Sequence, residues 1–398
     1  MELCIEDRNI ESSEAETLAK DVKNKNLEEL YLRSNNLTEV GASILASNTS
    51  WSNLHVLALN NNQIGSKGIE ALAKNTSWTQ LKQLHLISNS IGDEGAEKLA
   101  LNTCWSDLSI LVLIDNNIGS AGALSLSSNT SWKNLTILSL SHNKIGDEGA
   151  EALARNTSWQ NLATLELTAN CIEAEGATKL AQNNSWVQLK ELDLSQNLIG
   201  EQGARGLAKN SSWSNLEMLN LSRTGITDKA AECLASNSCW TALSYLNLQQ
   251  NRIQDEGAKA LAKNKAWSQL RVLYLSMNSI GDEGVSYLAA NNHWNELEEL
   301  DLSYNNIGGS GVRKLAENAN WTKLLILMLT GNRFDEQAAS DLSMNTSWSS
   351  LEVLELSNVV ASPTTVLKLN SNYNWSRLEC IDLCEEVLED SFSNTMDF

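Results

Sequence analysis

The side chains that could perform nucleophilic catalysis are few and fall close together in the chain. Asp115 and His142 are separated by 27 residues. Ser139, Ser141 and Cys171 lie near them. A hydroxyl or thiol, an imidazole and a carboxylate within reach of one another are the parts of a catalytic triad. Serine, however, is the usual filler of these positions along the chain, and a flat face of strands offers no obvious oxyanion hole. The pattern therefore favours a protein that is not an enzyme.

Metal and cofactor sites are not indicated either. No set of Asp, His and Cys residues falls on one face at ligand spacing, and His55 and His293 have no matched partners. The glycines are periodic, and no Gly-rich loop with a lysine that could cradle a phosphate is present. The seven cysteines show no CxxC or CxH spacing, which favours reduced thiols over disulfides or zinc. We expect no cofactor and no metal.

The charge of the chain narrows the class of partner. A net charge of -20 disfavours nucleic acid and anionic lipid, because both would be repelled, and favours a basic or mixed-charge protein. The segment Met1–Ile10 has no basic n-region, and no apolar run of about 18 residues follows it. We expect a monomer without membrane insertion. We expect it to be cytoplasmic, or secreted into a host cytosol without a Sec signal.

The tryptophans show what positions all these side chains, because they are spaced by an unvarying 27 residues. They are Trp51, Trp78, Trp105, Trp132, Trp159, Trp186, Trp213, Trp240, Trp267, Trp294, Trp321, Trp348 and Trp375. A fixed period of 20 to 50 residues indicates one supersecondary unit stacked many times. We therefore expect one elongated domain rather than the two or three that 398 residues usually form.

Two periodicities share each unit. In the unit that begins at Trp186, Leu192 and Leu194 alternate as in a strand, whereas Ala204 and Leu207 recur at helical spacing. The consensus LxxLxLxxNxIGxxGAxxLAxN resembles the leucine-rich repeat, specifically its ribonuclease-inhibitor-like subclass with a full helix per unit. Counting in steps of 27 gives fifteen strand positions from Leu3 to Ile381 and fourteen helix positions from Leu18 to Leu369.

The resemblance implies an α/β fold. The expected architecture is a right-handed β/α solenoid, the leucine-rich repeat horseshoe, with parallel strands on the concave face and helices on the convex face. We expect three parts: an N-terminal half repeat or cap at 1–26, tandem 27-residue repeats at 27–374, and a final strand, C-terminal cap and acidic tail at 375–398.

Several aligned positions have a structural interpretation. Asn35 and its equivalents follow each strand, where an amide can satisfy both donors and acceptors of the turning backbone. A second column, from Asn48 to Asn372, ends each helix, where we expect left-handed backbone and capped carbonyls. Gly149 and its equivalents are expected to allow close approach of neighbouring units. The Trp column is expected to form a ladder of buried indoles, a second core.

Outward strand positions should line the concave face, and these columns do not repeat. Early units carry an apolar strip, His85, Ile87, Val112 and Ile114 together with Val56, Ala58, Ile110 and Ile137. Later units mix aromatic, Met and charged side chains, namely Met218, Arg223, Tyr245, Tyr274, Met277, Asp301, Tyr304 and Met328. Acids accumulate at Glu166, Glu191, Asp193, Glu299, Glu355 and Asp382. Such surfaces are typical of protein interfaces, so we predict that both groups bind a partner. Neutral drift of solvated positions is the alternative.

Three units depart from the consensus. Thr224 replaces the Asn of its column, and Ala230 replaces the helix-start Gly of the same unit. Another unit has Phe334 for Ile and Ala338 for Gly. The last full unit reads Val359–Pro363, with the only proline, and is interpreted as a transition to a terminal cap.

The leading functional hypothesis is a non-enzymatic protein-interaction scaffold. The Gly-Ala-x-x-Leu-Ala helices, as in Gly149–Ala154, resemble those of bacterial GALA-type effectors, although the F-box of that family is missing. The segment Cys384–Phe398, with Glu385, Glu386 and Glu389, resembles the glutamate-rich tail signal of Dot/Icm type IV secretion substrates. An acidic disordered tail or cap is the alternative. These resemblances imply a secreted effector acting in a host cell.

Two regulators of enzymes are alternatives. Ran GTPase-activating proteins share this type of solenoid and use an arginine on a loop, for which Arg8 and Arg33 are the early candidates here. A ribonuclease-inhibitor-like inhibitor fits the acidic charge, but that family is cysteine-rich and alternates two types of unit.

Overall fold

A computed structural model describes residues 1–10, 12–357 and 362–382 of the protein. Within them a strand, a loop and a helix follow one another in each unit, as the two periodicities predict. The strands are β1 (Glu2–Cys4), β2 (Glu29–Tyr31), β3 (Val56–Ala58), β4 (Gln83–His85), β5 (Ile110–Val112), β6 (Ile137–Ser139), β7 (Thr164–Glu166), β8 (Glu191–Asp193), β9 (Met218–Asn220), β10 (Tyr245–Asn247), β11 (Val272–Tyr274), β12 (Glu299–Asp301), β13 (Ile326–Met328), β14 (Val353–Glu355) and β15 (Cys380–Asp382).

A helix follows each strand except the last of those described. The helices are α1 (Ser12–Lys20), α2 (Glu39–Ala46), α3 (Gly65–Lys74), α4 (Gly92–Ala100), α5 (Ser120–Ser128), α6 (Gly146–Arg155), α7 (Ala174–Leu180), α8 (Gly200–Ala208), α9 (Asp228–Ala235), α10 (Asp255–Ala262), α11 (Asp282–Ala289), α12 (Gly309–Ala316), α13 (Glu336–Leu342) and α14 (Pro363–Asn370). A short 3₁₀ helix, Val22–Asn26, precedes β2.

Contacts divide the chain into two compact units, Met1–Tyr245 and Leu246–Phe398, each of which contains several of the 27-residue repeats. We call these two parts the first unit and the second unit. In the first unit β1 to β9 pair in chain order, all parallel, and each residue faces the one 27 positions later. In the second unit β11 to β15 pair in the same way. Successive helices pack on one another within each unit. The predicted α/β solenoid is thereby confirmed, whereas the predicted boundaries after residues 26 and 374 stay predictions.

The core of each repeat lies between its strand and its helix. Leu192 and Leu194 of the strand segment and Ala204 and Leu207 of α8 are 0% exposed. Their spacing explains this burial, because residues two apart in a strand and three apart in a helix point to one side. Both periodicities therefore turn their apolar residues toward the same interior.

The tryptophans form the second core that the sequence predicts. Every one from Trp51 to Trp348 is 0% exposed, and Trp375 is 3% exposed. The rings of Trp51 and Trp78 stack with centroids 6.1 Å apart and planes at 21°. Those of Trp348 and Trp375 stack at 6.0 Å and 16°. Burial of about 200 Å² per indole makes this column a large apolar contribution to stability.

The asparagines that follow the strands join each 27-residue repeat to the repeat before it. Nδ2 of Asn62 donates to the carbonyls of Leu59 and, in the preceding unit, Leu32, at 2.8 and 2.9 Å. Its Oδ1 accepts from the backbone N–H groups of Asn35 and Leu37 at 3.1 and 2.8 Å. The amide satisfies donors and acceptors together, as predicted.

The asparagines that end the helices act differently from the prediction. Asn75 has φ -71° and ψ 115°, which is extended backbone, so the predicted left-handed geometry is wrong. Its Nδ2 donates to the carbonyls of Ala46 and Asn48 at 2.8 and 2.9 Å. Its Oδ1 accepts from the N–H groups of Ser77 and Trp78 at 2.8 and 3.2 Å. The amide therefore caps the helix of the preceding unit, and an extended backbone allows it to reach there.

The helix-start glycines are required by close packing. A Cβ on Gly149 would lie 2.7 Å from Cγ2 of Ile145 and 3.2 Å from Cα of Ser120 in the preceding unit. Cβ atoms do not reach such distances without displacement of a neighbour. The predicted close approach is confirmed. The same position is Ala338 in α13, where Phe334 replaces the usual Ile.

Carboxylates near the helix starts form caps that the sequence does not reveal. Oδ1 of Asp93 in α4 accepts from the N–H groups of Gly119 and Gly122, at the start of α5, at 2.6 and 2.9 Å. Asp255 does the same for Gly281 and Gly284 at the start of α11, at 2.7 and 2.9 Å. The free N–H groups of a helix start favour a negative charge. Each such acid therefore stabilises the next helix.

Candidate protein-binding face

The surface that could hold a partner is built from side chains that point away from the core. We call it the strand face, and it consists of the residue before each strand, the first and third residues of the strand, and the second and third residues after it. In β12 these are Glu298, Glu299, Asp301, Ser303 and Tyr304. Because the strands are parallel and in register, each column runs across neighbouring strands at about 4.8 Å spacing.

The early apolar strip lies on the strand face of the first unit, but it is less exposed than predicted. Ala58, His85 and Val112 face one another across β3, β4 and β5. Val112 is only 8% exposed, and Ala58 is 0% exposed. Ile87 and Ile114 are half-buried. Part of the strip is therefore buried, because side chains about 4.8 Å apart on neighbouring strands cover one another, and its role in binding stays a prediction.

His85 is the titratable group within this strip. Burial lowers the pKa of His85 below its usual range, and the Arg33 guanidinium acts in the same direction. The ring lies beside Gln83, with Nε2 3.3 Å from Oε1. A neutral imidazole among apolar neighbours suits a surface that packs against another protein, since burying a charge there would be costly.

The residues that could imitate a triad are not assembled into one. Asp115 and His142 are both exposed, in turn residues with φ 55° and 57°. Oδ2 of Asp115 accepts from the hydroxyl of Ser88 at 2.7 Å. Ser139 donates to Glu166. Among the described residues no hydrogen bond is found between His142 and either the aspartate or the serine, so this group shows no activated nucleophile.

Arg33, the arginine considered for a GTPase-activating role, is held against its neighbours. Its guanidinium lies over the Tyr31 ring, 5.2 Å from the centroid, and Nε is 3.6 Å from Oε1 of Glu6. Arg8 is exposed, and its backbone N–H donates to Asn35. The Arg33 guanidinium is therefore held against its own repeat and the preceding one rather than extended on a free loop.

The later predicted residues of the first unit lie on or beside the strand face. Met218 begins β9 and is half-buried, and Arg223 is exposed in the following turn with φ 56°. Glu191 and Asp193 of β8 lie beside Met218 and Asn220. Tyr245 is the last residue of the first unit and is half-buried. That Tyr245 binds a partner together with Tyr274 and Tyr304 stays a prediction.

The second unit brings the remaining predicted residues together. Tyr274, Asp301 and Met328 face one another in that order across β11, β12 and β13. Oη of Tyr274 donates to Oε1 of Glu299 at 2.7 Å. A methyl group on Gly331, which has φ 69°, would lie 2.5 Å from the nearest atom of the Tyr304 ring, so the ring lies close over that glycine. Met277 and Tyr304 are half-buried.

Sequence reasoning missed several residues of this face. Val272 and Ile326 flank Glu299 on the neighbouring strands, and Leu325 precedes β13. Ser276, two residues after β11, is 2% exposed, and its Oγ has no hydrogen-bond partner among the described residues. Reading every outward column across the period would have found Val272 and Ile326. Nothing in the sequence signals the buried hydroxyl.

Metal ligands, thiols and membrane-spanning helices are the other candidate features in the described part of the chain. No group of three or more His, Cys, Asp and Glu side chains is placed there to hold a metal ion. Its six cysteines are free thiols. No helix within residues 1–10, 12–357 and 362–382 is long and apolar enough to cross a bilayer. The predicted tail signal, residues 384–398, lies outside the described residues, as do Val359 to Ala361 of the proposed cap transition.

Solved structures with the same kind of fold include an internalin from Listeria monocytogenes, inlF. It is 20% identical over 94% of this chain and 95% of its own, with a TM-score of 0.63. The plant peptide hormone receptor RGFR1, in complex with RGF2, is 18% identical over 91% and 67%, with a TM-score of 0.34. The yeast Rad7 and Elc1 complex matches at 17% identity over 90% of each chain, with a TM-score of 0.49.

No curated protein matches the chain. The family model described as Leucine Rich repeat matches ten segments, residues 23–46, 52–73, 79–100, 133–154, 160–181, 188–208, 214–235, 241–262, 269–289 and 295–316. These segments make up more than half of the chain and fall on the strand and helix pairs β2–α2 to β4–α4 and β6–α6 to β12–α12. The repeats of this family imply a protein-interaction scaffold, and the chain belongs to the leucine-rich repeat family.

Proposed function

We propose that the protein is a monomeric, non-enzymatic scaffold that binds another protein on its strand face. The observation that carries this proposal is the contrast between columns. The core, Asn and Trp positions repeat. The strand face differs from one repeat to the next, with apolar side chains in some repeats and acidic or aromatic side chains in others. Residues that the repeat does not need for folding, and that form a continuous, chemically mixed surface, are typical of interfaces. The twelve predicted residues, Met218, Arg223, Tyr245, Tyr274, Met277, Asp301, Tyr304, Met328, His85, Ile87, Val112 and Ile114, are proposed to contribute to it.

We further propose that the scaffold acts in a host cell as a secreted bacterial effector of the ribonuclease-inhibitor-like repeat subclass. The support is the likeness of its helices to GALA-type effectors and of residues 384–398 to a type IV secretion signal. A translocation reporter fused to the full chain tests the second point. We expect delivery by a Dot/Icm-competent donor and its loss when Glu385, Glu386 and Glu389 are changed to Gln. Equal delivery by the variant would rule out that signal.

Capture experiments test the scaffold proposal. The immobilised full chain, a variant with Tyr245, Tyr274 and Tyr304 changed to Ala, and a control with three exposed helix-side residues changed to Ala are compared. We use Val40, Leu124 and Met344 for the control because they are exposed and lie away from the strand face. Proteins from host-cell lysate are identified by mass spectrometry. We expect a specific set captured by the first and third and lost from the second. Undiminished capture by the tyrosine variant would remove the assignment.

A further inference from the structure

Strand β12 is the acidic centre of the strand face in the second unit. All its outward residues before and within the strand, Glu298, Glu299 and Asp301, carry carboxylates. None of the other described strands of this unit has acids at all three of these positions. Such a stripe would be an ordinary solvated surface if its neighbours were polar. They are not.

Apolar strands flank this acidic stripe on both sides. Val272 and Tyr274 of β11 face Glu299 and Asp301, respectively, in register. Ile326 and Met328 of β13 face the same two acids from the other side. With about 4.8 Å between neighbouring strands, a ligand side chain over Asp301 touches the Tyr274 ring and the Met328 thioether together. The acids of β12 therefore lie between two largely apolar rows of side chains. Oε1 of Glu299 accepts from the Tyr274 hydroxyl, and Oδ1 of Asp301 accepts from the backbone N–H of Ser303 at 2.9 Å.

The charge of the surrounding face is strongly one-sided. In the described residues before and within β11 to β15, seven side chains are acidic and one is basic. The acids are Glu298, Glu299, Asp301, Glu352, Glu355, Glu379 and Asp382. The cation is Arg271, whose Nη2 pairs with Oε2 of Glu298 at 2.7 Å. An incoming cation would relieve the mutual repulsion of these carboxylates.

A buried polar atom next to the stripe gives an independent sign of a ligand. Ser276 lies two residues beyond Tyr274 and on the same face, is 2% exposed, and has a hydroxyl without a partner among the described residues. A buried hydroxyl without a hydrogen bond costs free energy. A polar group of a bound partner would recover it.

We propose that β11 to β13 bind an arginine-bearing segment of a protein partner. The guanidinium pairs with Asp301, and the aliphatic stem packs between Tyr274 and Met328. Apolar side chains of the same segment contact Val272 and Ile326. Arginine fits better than lysine because its planar group both pairs with a carboxylate through two N–H donors and stacks on an aromatic ring. The inference rests on the proposed scaffold function and names its partner chemistry.

The chain provides its own matched control. Strand β8 has the same Glu-Leu-Asp sequence as β12, but its neighbours are Thr164 and Glu166 on one side and Met218 and Asn220 on the other. A double change of Glu191 to Gln and Asp193 to Asn removes the same two charges from the same positions. The two acids of β8 differ from those of β12 in that one neighbouring strand carries Thr164 and Glu166 in place of Val272 and Tyr274. Loss of net charge alone therefore acts equally in both variants.

The probe is a fluorescein-labelled eight-residue peptide of alternating Arg and Leu, measured by fluorescence anisotropy with the full chain at 0.15 M salt, which is about physiological. Peptides with Lys or Glu in place of Arg are compared. We expect E299Q with D301N to weaken binding at least about tenfold, and E191Q with D193N to change it less than about twofold. We expect the Lys peptide to bind more weakly and the Glu peptide not to bind. An unchanged tryptophan emission maximum shows that each variant is folded.

Absence of binding by the Arg peptide, or an equal loss in both double variants, would overturn the inference. Either result leaves the scaffold proposal to be judged by the capture experiment. Specific capture that is lost with the tyrosine variant would then show a scaffold with another partner chemistry. Loss of specific capture altogether would instead remove the scaffold proposal.

Discussion

The residue type at some positions of the repeat is determined by differences of a few tenths of an ångström in contact distance. The glycine at the start of each helix is the clearest case. At Gly149 the missing Cβ would contact Ile145 of its own unit at 2.7 Å and Ala123 of the preceding unit at 3.1 Å. Gly309 sits at a helix start as well, but a Cβ there would meet Ala338 at an ordinary 3.4 Å. The two glycines therefore differ in what they must leave empty.

Changing Gly149 to Ala should destabilise the protein. Overpacking costs about 1 to 3 kcal/mol, of which the higher helix propensity of Ala recovers up to about 1 kcal/mol. The matched change Gly309→Ala should leave the free energy of unfolding unchanged or raise it by up to about 1 kcal/mol, because the new methyl group meets no close contact. Urea unfolding followed by circular dichroism measures both. Equal effects of the two variants would contradict the account of close packing.

Residues that recur at a fixed position in every repeat were predicted well, whereas contacts that depend on one particular partner were predicted less well. The strand leucines, the Trp core and the Asn turns follow from spacing alone. The Asp93 cap was missed because its partners, Gly119 and Gly122, are 26 and 29 residues away, and helix-start acids also have a local explanation in the helix dipole. The burial of Val112 was missed because alternation shows the direction of a side chain but not how its neighbours cover it.

Helices are joined to their neighbours by these carboxylate caps. Asp147 in α6 accepts from the N–H of Glu173, which precedes α7, at 2.6 Å. Glu336 in α13 accepts from the N–H of Ser362 at 3.1 Å and from the hydroxyl of Thr365 at 2.7 Å, both at the start of α14. The start of one helix thus depends on an acid of the helix before it.

The change Asp147→Ala should destabilise α7, which it caps, more than the helix that carries it. Loss of an N-terminal cap costs about 1 kcal/mol. Glu148, the exposed acid beside it in α6, is the control, and Glu148→Ala should cost less than about 0.5 kcal/mol. Hydrogen exchange should be faster in the first turn of α7 for the first variant only. Faster exchange confined to α6 would contradict the inter-unit cap.

Helix α14 should loosen in acid. The hydroxyls of Ser362 and Thr365 and the N–H of Ser362 hold the pKa of Glu336 below its usual range. Because the folded pKa is the lower one, the stabilisation is complete above the unfolded pKa and is lost as pH falls through the folded pKa. Hydrogen exchange in α14, corrected for intrinsic rates, should therefore show less protection at pH 3 than at pH 6. Glu336→Gln should show less protection at pH 6 and a smaller change with pH. A pH dependence identical to that of the unaltered protein would refute this role.

At the scale of the whole molecule, each repeat inside a compact unit is stabilised by the repeats next to it. Asn ladders, indole stacking and carboxylate caps all act between units 27 residues apart, and the two compact units contain the same kinds of contact. In such an array the stability is close to a sum of repeat and nearest-neighbour terms. An interior repeat therefore matters through two interfaces and a last repeat through one.

The change Trp186→Ala should cost about 3 to 5 kcal/mol, because it removes a fully buried indole from the interior of the first unit. Trp375→Ala should cost less, because within residues 1–10, 12–357 and 362–382 its indole stacks on Trp348 alone and is 3% exposed. Urea unfolding compares the two variants. In the unaltered protein the emission should be blue-shifted and poorly quenched by iodide. A solvent-like emission maximum would contradict a buried ladder.

Because the asparagine hydrogen bonds, stacked indoles and carboxylate caps join neighbouring repeats at the same 27-residue step, a whole repeat can be gained or lost while contacts of these kinds form again between the new neighbours. Unequal recombination between copies within the gene is then structurally silent when it moves a multiple of 27 codons, and damaging otherwise. That filter explains why the tryptophan spacing contains no insertion or deletion. It also means that a block of strand-face chemistry, such as the acidic strand between two apolar ones, can be copied or exchanged as one piece, so that new partners arise by reshuffling.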